Sequence, residues 1–168
     1  MAAQFLSLCG SRQTAIITGH RDAWIHSENI TGFLDAARLY GLQNRAIAES
    51  FDSMEIAYRQ TAGLLEENPD LEGIYVTSYV APGVCRRVRE VGRPIRIVGT
   101  DLVAGSDDFL HEGTLTATIF QNQAAQARLA VEMIVRVFRQ GELPNEKPSG
   151  LLVKPELVLS SALPCYEV

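Results

Sequence analysis

The sequence predicts an α/β fold in which a parallel sheet carries helices on both faces. Short β-branched runs such as "TAIIT" (14–18) and "GIYVTS" (73–78) alternate with segments of helical periodicity. The connections are short, and neither an internal repeat nor a low-complexity linker interrupts them. Strands that alternate with helices of about 10–15 residues form right-handed βαβ units, and such units build a parallel sheet.

The first half of the chain carries this alternation most clearly. A helix predicted at 28–41 ends at a glycine, and a second strand follows at 45–51. The next helix, at 52–70, begins where Asp52 and Glu55 resemble a capping box, and it ends at an Asn-Pro pair.

The second half departs from the regular alternation at one point. The stretch 103–113 holds only a short helix, so we expect the chain to leave the first sheet at "LTATIFQ" (115–121). The long helix after it is apolar enough to need cover on more than one side. The predicted elements are strands at 73–78, 95–99, 115–120 and 150–160, and helices at 81–92 and 123–141.

The composition of the chain excludes several classes of function. The 168 residues are 46% hydrophobic and 21% charged, with a formal net charge of −5. An acidic chain with interspersed charges lacks the basic face that grips nucleic acid. No apolar run approaches the ~18 residues of a membrane span. The three cysteines are widely spaced, and the N-terminus lacks a signal-peptide pattern, so we expect a cytoplasmic protein with reduced thiols.

Polar residues follow four strands in succession, at the edge where open parallel sheets bind ligands. They are also favoured helix N-caps, which explains Asp52. The segment after Asp101 is a poor helix start, so Asp101 is either a turn residue or a ligand contact. The residues concerned are Thr18 and His20, Ser50 and Asp52, Thr77, Ser78 and Tyr79, and Thr100 and Asp101.

Catalysis has weak support in the sequence, and an α/β enzyme stays a third alternative. The sequence contains no nucleophile elbow, phosphate loop or metal motif, so we expect no enzyme, no cofactor and no metal. His20, His26 and His111 are interpreted as surface or capping residues. Trp24, the single tryptophan, either stacks on a sugar ring or serves as an interface or lid residue.

Four segments in this order carry a family resemblance: "NPDLEGIYV", "RIVGTD", "ATIFQ" and "PELVLSS". The chain resembles the C-terminal part of a LacI/GalR (lac-repressor-type) transcriptional regulator, whose effector module is shared with type I periplasmic sugar-binding proteins. The resemblance implies a Rossmann-like lobe of a two-lobed protein with the effector in the cleft. It assigns about 1–118 and 150–168 to the C-terminal lobe and about 119–149 to an element of the N-terminal lobe, with the DNA-binding head absent.

The resemblance also implies the site. Asp101 falls on the family's cleft aspartate, and Gln121 falls on the glutamine of the crossover. Ser78 and Tyr79 replace a common Asn-Asp pair, and Asn29 replaces the usual arginine. With Trp24, these are the predicted ligand-binding residues.

Two functions follow from the resemblance. The first is the effector-binding part of a transcriptional regulator, which binds a sugar or polyol, contacts DNA only through the absent head, and forms a homodimer. The alternative is a periplasmic sugar receptor of an ABC transporter.

Overall fold

The computed structural model of the chain describes residues 1–140 and 152–166. The ends of the predicted 123–141 helix and 150–160 strand therefore lie outside the described residues. The helices are α1 (Ala2–Leu8), α2 (Trp24–Tyr40), α3 (Met54–Glu67), α4 (Ala81–Val91), α5 (Ser106–Glu112) and α6 (Gln123–Gln140). The strands are β1 (Gln13–Thr18), β2 (Gln43–Glu49), β3 (Gly73–Val76), β4 (Arg96–Thr100), β5 (Ala117–Phe120) and β6 (Glu156–Val158), and a 3-10 helix follows at Ser160–Cys165.

The strands form one sheet in the order β2-β1-β3-β4-β5-β6. Strands β1 to β5 are parallel, and β6 runs antiparallel to β5. The predicted α/β class with a largely parallel sheet is confirmed. Because all five parallel strands point the same way, their carboxyl ends meet at one edge, which we call the carboxyl edge.

The expectation that the chain leaves the sheet at "LTATIFQ" is wrong for the strand itself. Strand β5 pairs with β4 in the same sheet, with Thr100 opposite Ile119. The link between these strands contains only the short helix α5, yet a dozen or so residues suffice for a parallel crossover. Leu110 and Leu115 are buried and anchor this link to the core.

Alternating strand residues feed two cores, one on each face of the sheet. Ile17 of β1 packs in the core beneath α3 and α4, and Ile16 packs in the core beneath α1 and α2. Both isoleucines are fully buried, and burial of such a side chain contributes about 1.5–3 kcal/mol. The helices therefore cover both faces, as the sequence predicts.

Helix α6 differs from the other long helices. Asn122 caps it, since its Oδ1 accepts the Ala125 N–H at 3.0 Å. None of its side chains from 123 to 139 is buried. A helix of this apolar character with no buried face is exceptional in a folded protein. Its exposed apolar residues are Val131, Ile134, Val135 and Phe138.

Candidate functional site

The carboxyl edge is tied together by hydroxyl groups. Thr18 Oγ1 of β1 lies 2.8 Å from Thr77 Oγ1, directly after β3. Thr100 Oγ1 of β4 donates to the Val76 carbonyl at 2.8 Å, and Ser50 Oγ, after β2, donates to the Thr18 carbonyl at 2.7 Å. These buried bonds fix the spacing between strand ends, so the side chains beyond them project from a rigid platform.

Asp101 and Gln121 are brought together at this edge. The Gln121 backbone N–H donates to Asp101 Oδ1 at 3.2 Å, and Gln121 Nε2 lies 3.4 Å from Oδ2. Asp101 adopts a left-handed backbone with φ 65°, and its carbonyl accepts the Thr118 hydroxyl at 2.8 Å. The strand therefore ends in a held carboxylate that still has free acceptor capacity.

Burial raises the pKa of the Asp101 carboxyl above its ordinary value, and hydrogen bonds from Gln121 and Gln123 oppose that rise. The shift reflects a carboxylate partly removed from water. Hydroxyl groups of a ligand would stabilise such a carboxylate, because they replace the hydrogen bonds of the water it has lost.

Ser78 and Tyr79 follow β3 at the same edge. Ser78 is buried, and its Oγ has no hydrogen-bond partner among the described residues. A buried hydroxyl without a partner costs free energy, so it favours a ligand that can supply one. The Tyr79 hydroxyl donates to the Asp52 carbonyl at 2.7 Å, while its ring remains about half exposed.

Asn29 lies on α2, beside a depression of about 320 Å³. Thr100 and Gln121 line the same depression, so Asn29 and Gln121 face a common space. Phe33 and Tyr75 also line it, with their rings stacked at 5.1 Å.

Trp24 is the first residue of α2 and is 75% exposed. Among the described residues, no hydrogen bond or ring contact joins it to the other predicted site residues. Its role therefore stays a prediction.

Three further residues at this edge were missed or misread from the sequence. His26 is not a surface or capping residue, since it is buried inside α2 with Nδ1 3.1 Å from Thr77 Oγ1. Asp52 does not cap α3, because Ser53 accepts the Ile56 N–H there. Phe51, predicted as the end of a strand, lies beyond β2, which ends at Glu49, and is 54% exposed. A His or Asp next to a helix start signals a cap, and nothing local reveals a distant partner.

Neither a metal site nor a membrane-spanning helix is found in the described part of the chain. No group of three His, Cys, Asp or Glu residues there could hold a metal ion. None of the helices found there combines the length and apolar character of a membrane span.

Comparison with known proteins places this platform in a family. A family model described as "Periplasmic binding protein domain" matches residues 1–142. The chain belongs to this family. The expected periplasmic-binding-protein-like fold is thereby confirmed, while the comparisons do not single out the LacI/GalR regulators.

Named relatives of this periplasmic binding protein domain bind sugars. A D-ribose/D-allose-binding protein from Pseudomonas aeruginosa is 25% identical over 150 residues, which are 87% of this chain and 47% of that protein. A glucose-galactose binding protein from Geobacillus stearothermophilus is 27% identical, with a TM-score of 0.89 over 97% of this chain and 59% of that one. The chain thus spans about half the length of these relatives.

The fold is also shared with more distant sugar complexes. A Burkholderia graminis solute-binding protein in complex with D-arabinose is 22% identical and has a TM-score of 0.87, over 99% of this chain and 60% of that one. This periplasmic binding protein domain therefore has the architecture of one lobe of such proteins.

Proposed function

We propose that the chain is a sugar-binding lobe that holds a neutral sugar or polyol at its carboxyl edge. The observation that carries the proposal is the Asp101–Gln121 pair, a half-buried carboxylate held at the end of β4. Ser78 Oγ, buried and without a described partner, supports it at the neighbouring strand end.

The chemistry of the edge suits a polyhydroxylated ligand. The Asp101 carboxylate accepts hydrogen bonds from two sugar hydroxyls, and the Asn29 and Gln121 amides both donate and accept. The exposed ring of Phe51 offers a surface for the apolar face of a sugar ring. A carboxylate at the centre of the edge disfavours an anionic ligand, because two like charges would then be brought together.

Within this function we favour a solute receptor over the regulator expected from the sequence. The relatives that cover nearly the whole chain are named as sugar-binding proteins, and several belong to ABC transporters. The location of the protein, its pairing as a homodimer and any link to DNA stay predictions. A helix-turn-helix encoded directly upstream in the gene would favour the regulator instead, and a signal peptide there would favour the receptor.

A thermal-shift screen tests the ligand class. The probes are D-ribose, D-allose, D-galactose and D-arabinose, with D-glucuronate as the anionic control. We expect at least one neutral sugar to raise the Tm, since a ligand that binds only the folded chain stabilises it. We expect no response to D-glucuronate and no response in Asp101→Ala. A neutral-sugar response that survives in Asp101→Ala would contradict the assigned site.

A further inference from the structure

His26 lies in a line of buried polar contacts behind the carboxyl edge. Its Nδ1 is 3.1 Å from Thr77 Oγ1, which in turn is 2.8 Å from Thr18 Oγ1. Its Nε2 faces Asp52 Oδ1 at 3.7 Å. A neutral imidazole with its proton on Nε2 fits these contacts, because Thr18 then donates to Thr77, Thr77 donates to Nδ1, and Nε2–H points at the carboxylate.

Asp52 belongs to a backbone turn that its own residues do not favour. Phe51 and Asp52 both have left-handed conformations, with φ 50° and 56°. A bulky side chain rarely adopts such a conformation, and it persists only where the surroundings hold it. Two groups hold Asp52: the Tyr79 hydroxyl donates to its carbonyl at 2.7 Å, and His26 faces its carboxylate.

Gly19 leaves room for the contact between His26 and Asp52 because it has no Cβ atom. A Cβ atom on residue 19 would overlap both the His26 imidazole and the Asp52 carboxylate. Asp52 Oδ1 is buried and has no hydrogen-bond partner in the described part of the chain, and His26 Nε2 lies 3.7 Å from it. The imidazole is therefore the one donor group shown to face that oxygen.

The turn determines where Phe51 lies. Its ring meets the His20 ring edge-on at 5.4 Å and otherwise stays more than half exposed beside the polar strand ends. An exposed phenylalanine in a disfavoured backbone conformation contributes little to the stability of the fold. Its placement instead suits contact with a bound molecule.

We propose that His26 is a positioning residue for ligand binding. Through Asp52 it holds the 51–52 turn, and the turn presents Phe51 to the apolar face of the sugar. The assignment rests on the proposed sugar-binding function, and it adds a buried residue that does not itself touch the ligand.

Two matched variants separate this role from plain core packing. Glutamine reaches as far as the Nε2 position of histidine, so His26→Gln keeps a donor toward Asp52. Asparagine reaches only the Nδ1 position, so His26→Asn keeps the contact with Thr77 and loses the contact with Asp52. We expect His26→Gln to bind sugar within about twofold of the parent chain, and His26→Asn to bind about three- to tenfold more weakly, the range that loss of one aromatic contact gives.

The closing experiment measures sugar affinity and amide exchange by NMR on the full chain. The chains are the parent, His26→Gln, His26→Asn, Phe51→Ala and the double variant His26→Asn/Phe51→Ala, and D-ribose and D-galactose are the probes. We expect the effects of His26→Asn and Phe51→Ala to be strongly non-additive, because both remove the same contact. Thr61→Ala, which removes a buried hydroxyl bond inside α3, is the control that lowers stability without lowering affinity.

The exchange arm reports on the turn in the absence of any sugar. The Ser53 N–H donates to the Ser50 carbonyl at 2.9 Å, so its protection measures the closed turn. We expect its protection to fall in His26→Asn and to persist in His26→Gln. Equal protection in both variants, or additive losses of affinity, would overturn the positioning role. If neither sugar binds the parent chain, the proposed function fails for these sugars, while Ser53 exchange still decides whether His26 holds the turn.

Discussion

Asp101 combines two features that rarely occur together in a purely structural residue. Its backbone is left-handed, which is disfavoured for residues with a Cβ, and its carboxylate is partly desolvated, with a raised pKa. Both features cost stability, and both are typical of residues kept for binding rather than for folding.

The raised pKa of Asp101 gives a stability prediction with a definite sign. Because the folded carboxyl has a higher pKa than the unfolded one, its ionisation lowers the free energy of unfolding as pH rises through that range. Asp101→Asn removes this ionisation and keeps an acceptor for Gln121. We therefore expect the variant to be at least as stable as the parent at neutral pH, with any advantage lost at about pH 3, in urea denaturation.

The matched readout for the same variant is binding. Asp101→Asn should bind sugar more weakly while remaining stable, since an amide offers one acceptor oxygen in place of two. A variant that is less stable than the parent at neutral pH yet equal to it at pH 3 would contradict the assigned cause of the shift.

At the residue scale, sequence could locate only part of the site. The strand-end pattern singled out Asp101 but left it either a turn residue or a ligand contact, and only the family resemblance added Gln121. The structure joins the two by hydrogen bonds. His26 could not be predicted as a buried residue, because its partner Thr77 lies 51 positions away in sequence. The prediction that Asp52 caps α3 is wrong, because the adjacent Ser53 satisfies the same local preference.

At the scale of elements, α3 and α4 pack so closely that one position at their contact has no room for a side chain. A Cβ on Gly83 of α4 would lie 2.5 Å from the Met54 carbonyl oxygen at the start of α3. Backbone cannot yield as the end of a flexible side chain can, so the helices would have to separate.

We expect Gly83→Ala to lower the free energy of unfolding by about 1–3 kcal/mol, the usual cost of overpacking. Gly63→Ala in α3 is the matched control, because open space surrounds that Cβ position and alanine favours a helix interior. We expect Gly63→Ala to raise the free energy by about 0.5–1 kcal/mol. Denaturation experiments measure the free energy of unfolding of both variants. Equal changes in the two would rule out the close approach of α3 and α4 as the cause.

The apolar stripe of α6 predicts concentration-dependent association of the chain as expressed. Val131, Ile134, Val135 and Phe138 lie on neighbouring turns and are exposed, which favours burial against a second copy. We expect Ile134→Glu/Phe138→Glu to shift the chain toward monomer in sedimentation velocity. Arg59→Glu on α3 makes the same change in charge away from the stripe and should leave association unchanged. If both changes shifted the chain toward monomer equally, the added negative charge, and not the loss of the apolar stripe, would explain the shift.

At the scale of the whole molecule, periodicity predicted the α/β class and most strands to within a few residues. Alternation of β-branched runs with amphipathic helices is a local property, so sequence reveals it directly. Strand order is not local, and the membership of β5 in the same sheet as β4 appeared only in the structure. The apolar pattern of α6 indicated that this helix needs cover on more than one side, but a helical apolar pattern does not say what covers it.

The whole molecule presents one rigid edge at which five parallel strands end, and that edge is where we propose the sugar binds. The most direct test is a map of backbone amide shifts as D-ribose and D-galactose are titrated into the chain, an experiment that detects binding even in the millimolar range. We expect shifts concentrated at Ser78, Asp101 and Gln121, with Phe51 beside them, and we expect Asp101→Asn to need more sugar to reach the same shifts. Shifts centred elsewhere on the molecule, or shifts that persist unchanged in Asp101→Asn, would contradict the proposed site.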